Sequence, residues 1–389
     1  MPRISLTGND SAAVALKQCL PDVVAAYPIT PQTEMMHKFA EFVADNTVHT
    51  EFITVESEHS AMSACVGASA AGARVATASS ACGLALMWEI TYVASAMRLP
   101  IVMALVNRAL SAPINIHCDH SDTMGARDNG WIQLHSENAQ QIYDNTIQAF
   151  RIAENPDVLL PVMVCFDGFI LSHTQEVLDI LDDDHVSKFV GEYKPVQRLL
   201  DLKNPKTYGP LDLQDYYFEH RRQQWEAHKH IFPVLEKVGK EYGKLTGREY
   251  GYFETEHMDD AEVALICLGS TCGTAAVAAD MLRDKGKKVG LVALRCFRPF
   301  PVDLIAEVFQ DVHTIIVLDR SMAFGTPGGP LAIEVRSALY RKPKQPEVVN
   351  YIYGLGGRDI NVEQITEVYE NHLDPKFELP EVGFINLRE

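Results

Sequence analysis

An α/β architecture, a parallel sheet covered by helices on both faces followed by a second α/β unit, is predicted by three features of this 389-residue chain. Strand-length apolar runs alternate with helical stretches over residues 1–170. The composition then turns charged and rich in Tyr and Lys over 175–255. The alternation resumes over 256–365. Apolar runs separated by helices imply parallel strands buried on both faces.

In the first unit, strands are predicted at 22–26, 52–55, 73–78, 101–106 and 160–166. Helices are expected between them, over 10–19, 32–45, 58–71, 83–97 and 138–154. Open sheets of this kind bind ligands at the carboxyl ends of their strands. Thr30, Glu58, Ser79, Ser80, Arg108 and Asp167 all follow strands or open the next helix, so they should gather on one edge. Asp182-Asp183-Asp184 and the stretch 203–210 read as surface crossings, and 213–243 has helical periodicity with many charges. The second unit opens with the strand 263–268, which ends in Gly269-Ser270-Thr271-Cys272-Gly273. A helix over 274–285, a strand over 289–294, a stiff turn at 297–301 leading to another helix, and a strand over 314–319 follow, and Gly354 to Asp359 closes the unit. The boundaries drawn are 1–175, an arm and long helix over 176–255, and 256–389.

Hydrophobic residues make up 47% of the chain, which assures a sizeable core, and the length fits two or three domains. The formal charge of −18 argues against nucleic-acid binding, which wants a basic face. The amino terminus shows no secretory signal, and runs such as 99–106 are too short to span a bilayer, so a cytoplasmic chain is expected. None of the eight cysteines forms a C-x-x-C pair. Buried free thiols are expected, with no zinc or cluster site in this chain. No nucleophile elbow, H-E-x-x-H or kinase signature is present.

Two segments carry the functional reading. Tyr27-Pro28-Ile29-Thr30-Pro31 is a rigid turn leaving a strand. Glu56-Ser57-Glu58-His59-Ser60 opens a helix built almost wholly of Ala, Ser and Gly, which lets a flat group approach the backbone. Glu58 reads either as a first-turn carboxylate serving the helix dipole or as an acid facing a cofactor, with Glu56 as the rival acid. A carboxylate in so dry a place must hold a proton or meet a basic partner. Arg108, beyond the strand 101–106, can bind an anion bidentately or pair internally with Asp119 or Asp122. The His, Cys and Asp of 117–122 fit no standard metal spacing, and Gly269 to Gly273 reads as a tight turn.

These residues carry a resemblance. Ala25 to Gln32, Val55 to Ala64, Arg98 to Met103, Val106 to Asn115, Cys118 to Asp122, Gly130 to Gln133, Asp167 to Ile170, Phe297 to Pro301, Asp319 to Ser321 and Gly354 to Asp359 follow one another as they do in the α subunits of pyruvate:ferredoxin oxidoreductases. The chain is identified as a member of this 2-oxoacid:ferredoxin oxidoreductase family, over nearly its whole length. The resemblance implies a thiamine-diphosphate-enzyme pyrimidine-binding domain plus a transketolase C-terminal-like domain. It implies that thiamine diphosphate is shared with a β subunit, which would supply the diphosphate and Mg2+ side. The [4Fe-4S] clusters would lie on γ and δ partner subunits, with coenzyme A as acyl acceptor and ferredoxin as electron carrier. Glu58 matches the glutamate that hydrogen-bonds N1′ of the aminopyrimidine, and Pro28 and Ile29 match the cofactor lining. Thr30 and Arg108 match the residues that bind the substrate, and a neutral Thr30 suits pyruvate. 2-Oxoisovalerate, 2-oxoglutarate and a non-catalytic scaffold of the same fold are the alternatives. The second domain is expected to build the subunit interface and to bind no cofactor.

Overall fold

The computed structural model describes residues 2–340, 342–343 and 345–388. The first sheet has seven strands, in the order Cys296–Arg298, Ile132–His135, Val162–Asp167, Ile101–Asn107, Val75–Ser79, Val23–Ala26 and Glu51–Thr54. All are parallel except the edge strand Cys296–Arg298. Alternate residues of Ile101–Asn107 serve opposite cores. Val102, Ala104 and Val106 pack with the helices Gly8–Gln18 and Ala139–Ala153, whereas Ile101, Met103 and Leu105 pack with the helix Glu58–Ala71. Burial of both faces explains why this strand has no polar alternation to read.

The second sheet runs Gly383–Phe384, Glu347–Ile352, Thr314–Asp319, Val263–Cys267, Val289–Leu294 and Phe253–Glu256, with only the last antiparallel. The edge strand Cys296–Arg298 crosses back to the first sheet, so the second half of the chain supplies a strand to the first. The helix Tyr217–Thr246 is fixed to the first unit by the buried Asp144, which accepts from Tyr242 Oη at 2.6 Å, Tyr250 Oη at 2.7 Å and Arg248 Nε at 2.7 Å.

Several local readings change. Residues 182–184 are exposed, but Asp183 there opens the helix Asp183–Val190, whose Val186 and Val190 are buried. The helix expected over 83–97 is two, Ala81–Leu86 and Trp88–Ala96. The turn expected at 297–301 begins as the strand Cys296–Arg298. Ile132–His135 gave no apolar run because Gln133 and His135 are polar, yet both are buried. The pair Arg3–Thr7 and Gln175–Asp179, a two-stranded antiparallel sheet, was likewise not anticipated.

Candidate active site

The site lies at the carboxyl edge of the first sheet. Its first wall is the turn after Val23–Ala26. Asn9 Nδ2 donates to Pro31 O at 2.9 Å, and Gln32 Nε2 donates to Ala78 O at 3.0 Å, so two buried amides fix the turn to its neighbours. Pro28 and Thr30 are exposed and Ile29 is half-buried.

The second wall is the start of Glu58–Ala71. Ser57 caps it, its Oγ accepting from Ser60 N at 3.2 Å, which frees Glu58 from the capping task. Glu58 is 6% exposed, whereas Glu56 is exposed. The Glu58 carboxylate has no hydrogen-bond or ion-pair partner among the described residues. It lies against Gly83, where an added Cβ would come within 2.8 Å of Glu58 Oε1 and 2.6 Å of Ser79 Oγ. Only glycine leaves room there. The buried hydroxyls of Ser79 and Ser80 are also without partners. A buried carboxylate and two unsatisfied hydroxyls on one edge want a polar ligand.

Arg108, 7% exposed, faces the first wall. Its Nη1 donates to Thr30 O at 2.9 Å and its Nε to Asn115 O at 3.1 Å. Its guanidinium pairs with no carboxylate among the described residues. Neither sequence-level partner takes it. Asp119 accepts from Ser121 N at 2.9 Å, and Asp122 accepts the Arg108 backbone N–H at 3.0 Å rather than its side chain. Arg108 is therefore a buried cation satisfied by dipoles alone, which suits an anionic ligand. Cys82, which the sequence reading passed over, sits beside it. The Ser111 hydroxyl first, and then the Arg108 charge, draw the Cys82 thiol below its usual range.

Asp167 does not join these residues; it couples the two units instead. Its Oδ1 meets His120 Nε2 at 2.7 Å, and its Oδ2 accepts from Arg320 Nη1 at 2.9 Å and Ser270 N at 3.1 Å. Burial by itself would raise this carboxyl, but the charges of His120 and Arg320 with the hydrogen bonds of His120 and Ser270 hold it well below the usual range. Gly269 approaches the same carboxylate with φ of 70°, so the Gly269 to Gly273 turn grips a side chain of the first unit. Cys118, His120 and Asp167 place ligand atoms within 4.8 Å of one another. Arg320 already fills that space with positive charge. The loop that carries Arg108 is held from the same side, because Asn115 Nδ2 donates to Gly356 O at 3.0 Å and Gly357 N donates to Cys118 O at 2.6 Å.

Comparison with known proteins gives the chemistry its class. Residues 14–240 match the family model "Pyruvate flavodoxin/ferredoxin oxidoreductase, thiamine diP-bdg", and residues 261–365 match "Pyruvate:ferredoxin oxidoreductase core domain II". The domains are thus those of the thiamine-diphosphate-binding pyruvate flavodoxin/ferredoxin oxidoreductases. A pyruvate synthase subunit PorA of Thermotoga maritima is 53% identical over 387 residues, covering 100% of this chain and 98% of that protein. A ketoisovalerate oxidoreductase subunit VorA of Pyrococcus abyssi is 44% identical, over 94% of this chain and 92% of that one. Among solved structures, a 2-oxoglutarate:ferredoxin oxidoreductase from Magnetococcus marinus superposes with a TM-score of 0.75 at 21% identity, over 96% of this chain and 65% of that one. A split-gene transketolase superposes at 0.55 and 13% identity, over 95% of this chain and 98% of that one, which agrees with the transketolase-like fold. The chain belongs to the pyruvate:ferredoxin oxidoreductase family.

Proposed function

We propose that this chain is the α subunit of a cytoplasmic pyruvate synthase, catalysing with its partners the reversible oxidative decarboxylation of pyruvate to acetyl-CoA and carbon dioxide. The observation that carries the reading is a buried carboxylate at Glu58 and, on the same edge, a buried guanidinium at Arg108, neither paired with an opposite charge among the described residues. The residues fit the pyrimidine half of thiamine diphosphate, since Gly83 leaves the face of Glu58 bare and Ser79 and Ser80 offer free hydroxyls. When bound, that cofactor supplies the carbon nucleophile that 2-oxo acid decarboxylation requires.

Glu58 would hold a proton at the ring nitrogen N1′, a task that needs a carboxyl uncommitted to other partners. Pro28 and Ile29 would line the ring. Arg108 would take the pyruvate carboxylate in a charge-assisted hydrogen bond, and Thr30 would donate its hydroxyl beside it. A β subunit would bring the diphosphate and Mg2+ side, and γ and δ subunits the [4Fe-4S] clusters that pass electrons to ferredoxin. The VorA relative favours one second reading, a 2-oxoisovalerate enzyme. A dicarboxylic oxo acid would want a second cation where Thr30 stands.

The test is purification of the complex from its source, followed by viologen dye reduction with coenzyme A and each oxo acid in turn. Pyruvate-dependent reduction by a brown complex is expected. Preference for 2-oxoisovalerate would keep the family and replace the substrate. A colourless complex inactive with every oxo acid would overturn the reading.

A further inference from the structure

One carboxylate joins the two halves of this site, and it is neither Glu58 nor a residue of the Arg108 side-chain environment. Asp122 is buried in the short helix Ser121–Gly125. Its Oδ2 accepts two backbone N–H groups, Ala81 at 3.1 Å and Arg108 at 3.0 Å. Its Oδ1 accepts Asn107 Nδ2 at 2.8 Å and its neighbour Thr123 N at 2.8 Å. All four donors point inward, so an ionised carboxylate suits the place and a carboxamide does not.

Ala81 shows why the bond matters. Its φ is 37°, a region that alanine seldom adopts. Such a conformation persists only where the surroundings impose it. Two residues on lies Gly83, the bare surface against which Glu58 rests. If Ala81 relaxes to negative φ, that surface moves away from Glu58. At the other end of the same oxygen, the backbone of Arg108 is fixed where its guanidinium reaches Thr30 O.

We propose that Asp122 is the positioning residue of this site, one carboxylate oxygen holding together the strained Ala81 turn that seats Glu58 and the backbone of the anion-binding Arg108. It touches no reacting atom. The inference rests on the functional reading above, and it splits the effect of Asp122 into two arms: proton handling through Glu58, read as kcat, and anion capture through Arg108, read as KM.

The test uses the assembled complex, with amide exchange and steady-state kinetics on the same preparations. In the wild type the amides of Ala81 and Arg108 should exchange slowly. In Asp122→Asn both should exchange at least about tenfold faster, KM for the oxo acid should rise roughly 10–100-fold, and kcat should fall about tenfold. Adding Ala81→Gly, which tolerates positive φ, should restore much of the kcat loss and none of the KM loss. Thr123→Ala removes a hydroxyl from the same buried cluster yet leaves both N–H groups on Asp122. It should lower Tm without moving KM.

If Asp122→Asn fails to assemble, Asn107→Ser, which takes one donor from Oδ1, should give the same KM shift at about threefold. Fast exchange at Ala81 and Arg108 in the wild type would overturn the proposal. So would an equal KM rise in Thr123→Ala, no rescue by Ala81→Gly, or an unmoved KM in Asn107→Ser. A wild-type complex that turns over no oxo acid would remove the functional reading, and amide exchange would still decide the clamp.

Discussion

Arg108 and Arg320 each follow a parallel strand, and they have opposite company. Arg108 follows Ile101–Asn107 in the first unit, and among the described residues its guanidinium bonds only carbonyl oxygens. Arg320 follows Thr314–Asp319 in the second and pairs with Asp167 at 2.9 Å, as well as bonding Gly354 O. The carboxylates divide in the same way. Glu58 has no partner among the described residues, whereas Asp319 accepts Leu331 N at 2.8 Å, Ala332 N at 3.1 Å and Asn350 Nδ2 at 2.9 Å. Glu58 and Arg108 keep their charges unpaired at one sheet edge, whereas Asp319 and Arg320 are saturated at the other. Free buried groups cost stability and are retained where a ligand completes them; saturated ones fasten structure.

The sharpest way to break this contrast is Glu58→Gln. If the free carboxyl is the proton handler, turnover should fall on the order of 10²–10⁴-fold, with assembly and Tm unchanged. Near-native turnover in the viologen assay would make Glu58 as structural as Asp319.

The arginines give the next contrast. Arg320→Met takes the guanidinium from the buried Asp167, leaving it His120 and Ser270, and should cost about 3 kcal/mol of stability. Arg108→Met should cost about 1 kcal/mol or less, because no carboxylate loses its partner, while raising KM for the oxo acid roughly 10–100-fold. Denaturant unfolding and kinetics on both variants read the two quantities. Equal destabilisation would erase the distinction between a free cation and a fastening one.

Gly83→Ala is a smaller intrusion on the same edge. The new methyl meets Ser79 Oγ at 2.6 Å and Glu58 Oε1 at 2.8 Å, so the carboxylate must swing aside. A loss of about tenfold in kcat with little change in KM is expected. A matching loss in KM alone would place the methyl in the substrate's path instead.

The contrast also shows what the sequence could carry. The strand runs, the small-residue helix and the edge positions of Thr30, Glu58 and Arg108 were legible because period and strand-end position are local properties. Whether Arg108 pairs with Asp119 or Asp122 was not, because side-chain pairing across 11 or 14 residues of loop is set by tertiary contact. Asp122 looked like a salt-bridge partner and is a backbone clamp; no spacing rule separates those roles. Ile132–His135 escaped for a related reason, since its buried Gln133 and His135 break the apolar signal, and burial pushes His135 down to about 3. The second unit was expected to build an interface between subunits. Within this chain it grips Asp167 and the Asn115 to Cys118 loop, in part through backbone turns that carry no distinctive residue type beyond glycine.

A last contact between the two units has the opposite sign to Arg320 with Asp167. Glu137, half-buried just beyond Ile132–His135, faces Glu254 on the edge strand Phe253–Glu256. Burial first, and then the Glu254 charge, push the Glu137 carboxyl up to about 7. A carboxyl raised above its unfolded value, near 4.3, makes folding less favourable as pH climbs from that value to about 7, and the penalty is constant above. Glu137→Gln should therefore raise the stability of the complex at pH 8 by about 1–2 kcal/mol, discounted for partial exposure. At about pH 3, below both values, the wild-type group is protonated in both states and the substitution should change little. Thermal melts of both proteins across that range read the difference. A pH-independent gain would mean that neither burial nor the Glu254 charge raises the Glu137 carboxyl in the folded state.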